Sequence, residues 1–198
     1  VPKDTFLNLN EDKKQKIVEV LKETFSNKTI FDANVKEIVE KLDIARGSFY
    51  QYFENLEDSY FMILDLETVD IHKLFLKILK NNAYDVFLSL DEYGKKLSKI
   101  LFDPETYSIY KNKFLYWTPE LEKGWQKYKI NQVSILGTNS QTNENTFIMG
   151  EEMQFIKAII HNLIERNYLN SWSSSEFLIH FNKYIEWLKG GINFDGIN

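Results

Sequence analysis

Apolar residues recur along most of this chain at spacings of three and four, which predicts helices almost throughout. Ile17, Val18, Leu21 and Phe25 give one inner face to a helix over Glu11–Asn27. Val35, Ile38, Val39 and Leu42 do the same for a short helix behind Asn34, and the pattern breaks at Asp43. Phe49 and Phe53 then share a face of a second short helix opened by Arg46, Gly47 and Ser48. Tyr60, Ile63, Leu64, Ile71, Leu74, Phe75 and Ile78 predict one long helix from about Leu56 to Lys80. Further helices are expected at Ala83–Phe102, Pro104–Tyr116 and Pro119–Leu136, the last started by Thr118-Pro119-Glu120. Two more follow at Thr146–Arg166 and Ser173–Lys189, joined by NYLNSW and stopped by Gly190-Gly191. Residues 137–145, GTNSQTNEN, read as an exposed, mobile loop. Alternating strand patterns are nearly absent, so the expected fold is all-α with about nine helices.

The stretch 34–53, NVKEIVEKLDIARGSFYQYF, is a helix-turn-helix pattern. Asn34 can cap the first helix, and Glu37 three residues on can reach back to the Asn34 backbone. Ile44 is expected to point inward from the turn. Arg46, Ser48, Tyr50, Gln51 and Tyr52 are left to point outward, with groups suited to phosphate oxygens and base edges. Such a device sets its second helix in the major groove of double-stranded DNA.

The run Gly47-Ser48-Phe49-Tyr50-Gln51-Tyr52-Phe53, followed by Glu57 and Asp58, resembles the DNA-binding signature of the TetR family of bacterial transcriptional regulators. The resemblance covers roughly the first third of the chain. It implies a DNA-binding domain at 1–55 and a helical effector-binding and dimerisation domain at 56–198. It implies a cytoplasmic homodimer on a palindromic operator, most simply a repressor released by a small-molecule effector. The implied DNA-binding set is Asn34, Lys36, Ala45, Arg46, Gly47, Ser48, Tyr50, Gln51 and Tyr52. The last two helices imply a dimer interface at Ile156, Ile159, Ile160, Leu163, Phe177, Phe181, Tyr184 and Leu188. Helices five to eight would surround an effector pocket. Its aromatic lining is Tyr107, Tyr110, Phe114, Trp117, Trp125, Tyr128 and Phe155, which suits a hydrophobic or aromatic effector.

Several positions depart from the family pattern. Ala45 replaces the Ser or Thr that usually caps the recognition helix, at a cost of roughly 1 kcal/mol. Leu56 replaces a Lys that contacts phosphate in many relatives. No Gly follows the first long helix, which leaves Asn27 to take a left-handed conformation there.

Charge narrows the reading. Residues 1–65 hold nine Lys/Arg against thirteen Asp/Glu, a formal balance of −4, and the whole chain carries −5. Non-specific attraction to DNA should therefore be weak. Lys3, Lys13, Lys14 and Lys16 cluster around the start of the first long helix, and Lys28 and Lys36 flank the motif. Arg46 and Arg166 are the two arginines of the chain. There are no cysteines, which removes disulfides and thiolate metal sites. No run approaches the ~20 apolar residues of a membrane span, and the N-terminal segment lacks a signal-peptide core. His72, His161 and His180 are far apart, and the pairs His161/Glu165 and Glu176/His180 read as surface contacts. No P-loop, GxGxxG, GxSxG or HExxH occurs, so the sequence asks for no cofactor, no metal and no enzymatic activity. Two alternatives stand beside the regulator. One is a DNA-bound scaffold that recruits a protein; the other is a helical-bundle enzyme or ligand carrier.

Overall fold

A computed structural model describes residues 1–136 and 150–190 of the 198-residue chain. The expected 137–145 loop, the Thr146 helix start and the Gly191 half of the terminal glycine pair lie outside the described residues. Among these residues there are eleven helices and no strands. They are α1 (Asp4–Leu7), α2 (Glu11–Asn27), α3 (Val35–Leu42), α4 (Arg46–Tyr52), α5 (Leu56–Glu67), α6 (Ile71–Asn81), α7 (Val86–Leu101), α8 (Tyr107–Leu115), α9 (Pro119–Leu136), α10 (Glu151–Asn170) and α11 (Ser174–Gly190). The all-α expectation holds. No described helix is long and apolar enough to cross a membrane.

The chain divides into two packing units, which do not follow a 55/56 boundary. The first comprises Val1–Thr68 and Ser108–Gly150, the second Val69–Tyr107 and Glu151–Asn198. In the first unit Ile17, Leu21 and Phe25 of α2, Ile38 and Leu42 of α3, Phe49 and Phe53, and Ile63 and Leu64 of α5 form one buried core. Asn112 of α8 ties into it by donating from Nδ2 to the Phe25 carbonyl at 3.0 Å. In the second unit α7 packs against α6 and α11. Gly94 lets the helices approach: a Cβ there would stand 2.5 Å from the Phe181 ring. Ser98 and Ser174 share a hydroxyl hydrogen bond of 2.9 Å beside that contact.

Several expected boundaries shift, each for a local reason. The long helix expected over Leu56–Lys80 is two helices. Thr68 is extended (φ −117°, ψ 139°), and Asp70 caps a fresh start by accepting from the His72 and Lys73 amides, each at 3.1 Å. A β-branched pair followed by an Asp is a poor helix interior and a good helix start. Ala83 and Tyr84 do not begin α7; both are left-handed (φ 51° and 66°), and Asp85 caps the helix through the Leu88 amide at 2.9 Å. Residues 104–106 form a turn, so α8 begins at Tyr107 rather than Pro104. Helix α10 continues past Arg166 to Asn170 and ends where Ser171 turns left-handed (φ 52°). Asn27 stays helical; α2 ends on an extended Lys28 (φ −133°).

Candidate nucleic-acid interface

The motif folds as its residue types direct. The Asn34 side chain accepts from the Glu37 amide at 3.0 Å and caps α3. Asp43 makes the turn in the left-handed region (φ 54°, ψ 49°), where Asp is tolerated better than most residues. Ile44 is half-buried against the core. Ala45 stands at the N-cap of α4 and makes no side-chain cap. Phe49 and Phe53 are buried with rings 5.2 Å apart, which fixes one face of α4 inward. Ala45, Arg46, Gly47, Tyr50 and Gln51 are exposed and Ser48 is half-buried. Arg46 lies beside Tyr50, its Nη2 donating to the phenol oxygen at 3.4 Å.

Two expectations fail at this site. Tyr52 does not point outward. It is 4% exposed, because it follows Phe49 by one turn and its ring meets Phe6 of α1 edge-on at 6.3 Å. Glu37 does not close a capping box either; its carboxylate pairs with Lys28 instead. Lys28 foremost, then the side chain of Asn34, hold the Glu37 carboxyl below the usual carboxylate range. A depressed folded pKa stabilises the native state above the unfolded carboxylate pKa, and that stabilisation fades as pH falls through the folded value. Glu37→Gln should therefore reduce the acid-side loss of protection of the α3 amides, measured by hydrogen exchange from neutral pH downward.

Ion pairing sorts the basic residues without changing the acidic balance. Of the nine basic residues in 1–65, five are matched with carboxylates: Lys14–Glu11 (2.8 Å), Lys22–Glu67 (2.6 Å), Lys28–Glu37, Lys36–Glu40 (3.8 Å) and Lys41–Glu23 (2.9 Å). Lys3, Lys13, Lys16 and Arg46 have no carboxylate partner among the described residues. Lys13 sits over the Tyr52 ring at 5.8 Å. Lys13 and Lys16 edge a groove of about 290 Å³ beside the turn, floored by Ile17, Leu42 and Ile44. The net acidity thus coexists with a small set of uncompensated cations around the motif. Sequence reading missed Phe6, a lone aromatic in a polar segment with no periodicity to mark it.

The aromatic residues expected to line a pocket do not all come together. Trp117, Trp125 and Tyr128 gather around Phe61, at centroid distances of 6.3, 5.7 and 5.8 Å. Trp125 lies parallel to Tyr128, with Lys113 and Lys129 over its ring. Tyr110 is 1% exposed and Phe114 half-buried in the same unit. Tyr107 and Phe155 belong to the other unit, where Tyr107 meets Tyr168 at 5.4 Å and Phe155 is 59% exposed.

The residues expected at a dimer interface also divide. Ile160, Leu163, Phe177 and Phe181 are buried within the single chain, so they are core and not available to a second copy. Ile156, Ile159, Tyr184 and Leu188 are half-buried. The apolar residues that α10 and α11 leave outside are Phe155, Leu169 and Ile179, none of which except Phe155 stood out in the sequence. His72 and His161 meet through their Nε2 atoms at 2.8 Å, and His180 stacks on Trp172. No group of three or more metal-binding side chains occurs among the described residues.

Comparison with known proteins agrees with this architecture. The repressor NalD of Pseudomonas aeruginosa, which controls the MexAB-OprM multidrug efflux pump, superposes with a TM-score of 0.60 at 15% identity. The match covers 93% of this chain and 98% of that one. The regulator FadR of Bacillus subtilis, solved with stearoyl-CoA, gives a TM-score of 0.56 at 16% identity over 90% and 99% of the two chains. At these identities the likeness is one of fold. No curated protein matches by sequence. The family model described as "Tetracyclin repressor, C-terminal domain" matches residues 86–191, more than half of the chain. With a helix-turn-helix ahead of that domain, this chain belongs to the TetR family of transcriptional regulators.

Proposed function

We propose that this chain is a sequence-specific DNA-binding repressor that acts as a homodimer and leaves its operator when a hydrophobic or aromatic effector binds. The single observation that carries the DNA reading is the set of uncompensated cations. In a segment with more acids than bases, the cations without a carboxylate are Arg46 in the motif, Lys13 and Lys16 at the adjacent end of α2, and Lys3 ahead of α1, whose ammonium reaches the Tyr50 carbonyl of α4. Arg46 and Gln51 are exposed on α4 and carry the groups that read base edges in a major groove. Gly47 supports close approach: a Cβ there would meet nothing within 4 Å, so the fold does not need the glycine that weakens this helix. The family's two-fold symmetry would place two such helices about one turn of DNA apart, roughly 34–36 Å. The exposed Phe155, Leu169 and Ile179, with the half-buried Ile156, Ile159, Tyr184 and Leu188, offer the apolar face for that pairing.

Effector release would work by differential affinity, with a coupling of about 1–3 kcal/mol. FadR, of the same fold, was solved with stearoyl-CoA, and the aromatic density here fits a ligand with an apolar part like that acyl chain. One observation favours the scaffold alternative: the Trp117–Trp125–Tyr128 cluster is filled by the chain's own Phe61.

The test is selection of duplexes from a random-sequence pool, followed by fluorescence anisotropy. Wild type should enrich a palindrome. Arg46→Ala should bind the enriched duplex more weakly by about 1–3 kcal/mol and relax the preference at its base pair. A wild-type protein that enriches nothing at low salt would overturn the regulator reading.

A further inference from the structure

Recognition helix α4 is seven residues long and has no side-chain cap at Ala45. A helix this short is marginal unless its ends are supported. Its C-terminal end is supported from outside. Lys3 donates twice to it: its backbone N–H to the Tyr52 carbonyl at 2.9 Å, and its Nζ to the Tyr50 carbonyl at 2.8 Å. Two of the last-turn carbonyls thereby gain partners, and a cation sits at the negative end of the helix dipole. One turn on, Phe6 is buried with its ring 5.3 Å from Phe53 and 6.3 Å from Tyr52. Residues 3–7 thus hold both the polar end and the apolar underside of α4.

We infer that this segment is a splint for the recognition helix, and that Lys3 is a positioning residue for DNA recognition rather than a phosphate contact. The inference rests on the DNA-binding reading for its function and on Lys3 geometry for its mechanism. Of the four uncompensated cations, Lys3 is the one whose ammonium is already engaged on a backbone carbonyl. Lys13, Lys16 and Arg46 are then left for the nucleic acid. The distinction is measurable. A lysine that neutralises a phosphate contributes about 0.9 to the slope of log affinity against log salt and acts equally on any sequence. A splint contributes nothing to the slope and acts through the geometry of base readout.

The experiment compares wild type, Lys3→Met, which keeps the aliphatic stem, and Phe6→Ala. Binding is measured to the duplex wild type selects and to an unrelated duplex of equal length, across a salt series. Hydrogen exchange of the Gln51, Tyr52 and Phe53 amides is followed in the free protein. Lys3→Met should weaken the selected duplex roughly three- to tenfold, the net scale of one ordinary hydrogen bond, because this one is exposed to water. It should leave the unrelated duplex and the salt slope unchanged, and speed exchange at the three amides; Phe6→Ala should do the same or more. A slope reduced by about 0.9 per subunit, with equal loss on both duplexes, would make Lys3 a phosphate contact and overturn the inference. Wild-type exchange rates in Lys3→Met would overturn it as well. If wild type selects no duplex, the DNA-binding reading falls, and the exchange rates alone then decide whether the splint exists.

Discussion

Phe181→Ala should lower the unfolding free energy by about 3–5 kcal/mol, the usual cost of deleting a buried phenyl ring. The side chain is fully buried inside one chain, with Phe177 at 5.9 Å and Tyr93 at 6.4 Å between ring centroids. Gly94 faces it with no side chain of its own, and helices α7 and α11 close on each other there. Removing the ring leaves a cavity that neither helix can fill without losing other contacts. Domains are stable by only about 5–15 kcal/mol, so the loss is a large share of the total. Urea unfolding followed by circular dichroism measures it. The control is Ile179→Asp, at a site 65% exposed on the same helix. That variant should keep its stability at high dilution but shift the molecule towards monomer in size-exclusion chromatography. If Phe181→Ala instead dissociates a dimer with no loss of subunit stability, the buried assignment of this face is wrong.

That contrast shows where sequence legibility ends. Periodicity located nearly every helix, because an apolar stripe must be buried against something. It could not say against what. Leu163 and Phe177 have the spacing of an interface and of a core alike, and their place within the chain emerges only from packing. The motif was legible at its start, where Asn34 caps through its own side chain. It was less so at Tyr52, whose inward turn depends on Phe6 from a segment with no pattern. The break at Thr68 was hidden because Ile71, Phe75 and Ile78 continue the helical spacing of α5. Only the Asp70 cap, a local hydrogen-bonding choice, reveals it. Charge misled for a related reason. A formal balance counts every basic residue equally, whereas five of the nine in the first 65 residues are matched by nearby carboxylates.

Phe61→Ala tests whether the aromatic cluster is a core or a pocket wall. Phe61 is 3% exposed and touches Trp117, Trp125 and Tyr128, and its neighbour Tyr60 meets Phe25 of α2 at 5.0 Å. Gly124 is fitted to the ring: a Cβ there would lie 3.0 Å from it. A ring so enclosed supports α5, α9 and, through Tyr60, the core beneath the DNA-binding motif. Its removal should cost about 3–5 kcal/mol and redden the emission of Trp117 and Trp125 as water gains access. An apolar cavity of this kind can hold benzene. Saturating benzene should therefore raise the thermal midpoint of Phe61→Ala and leave wild type unchanged, since ligand that binds only the folded variant stabilises it by mass action. A ring that merely lined an open pocket would have few partners to lose. Its deletion would then cost under about 1 kcal/mol, and benzene would shift both proteins alike. That second outcome would mark the cluster as the wall of an open apolar pocket; the first would mark it as closed core.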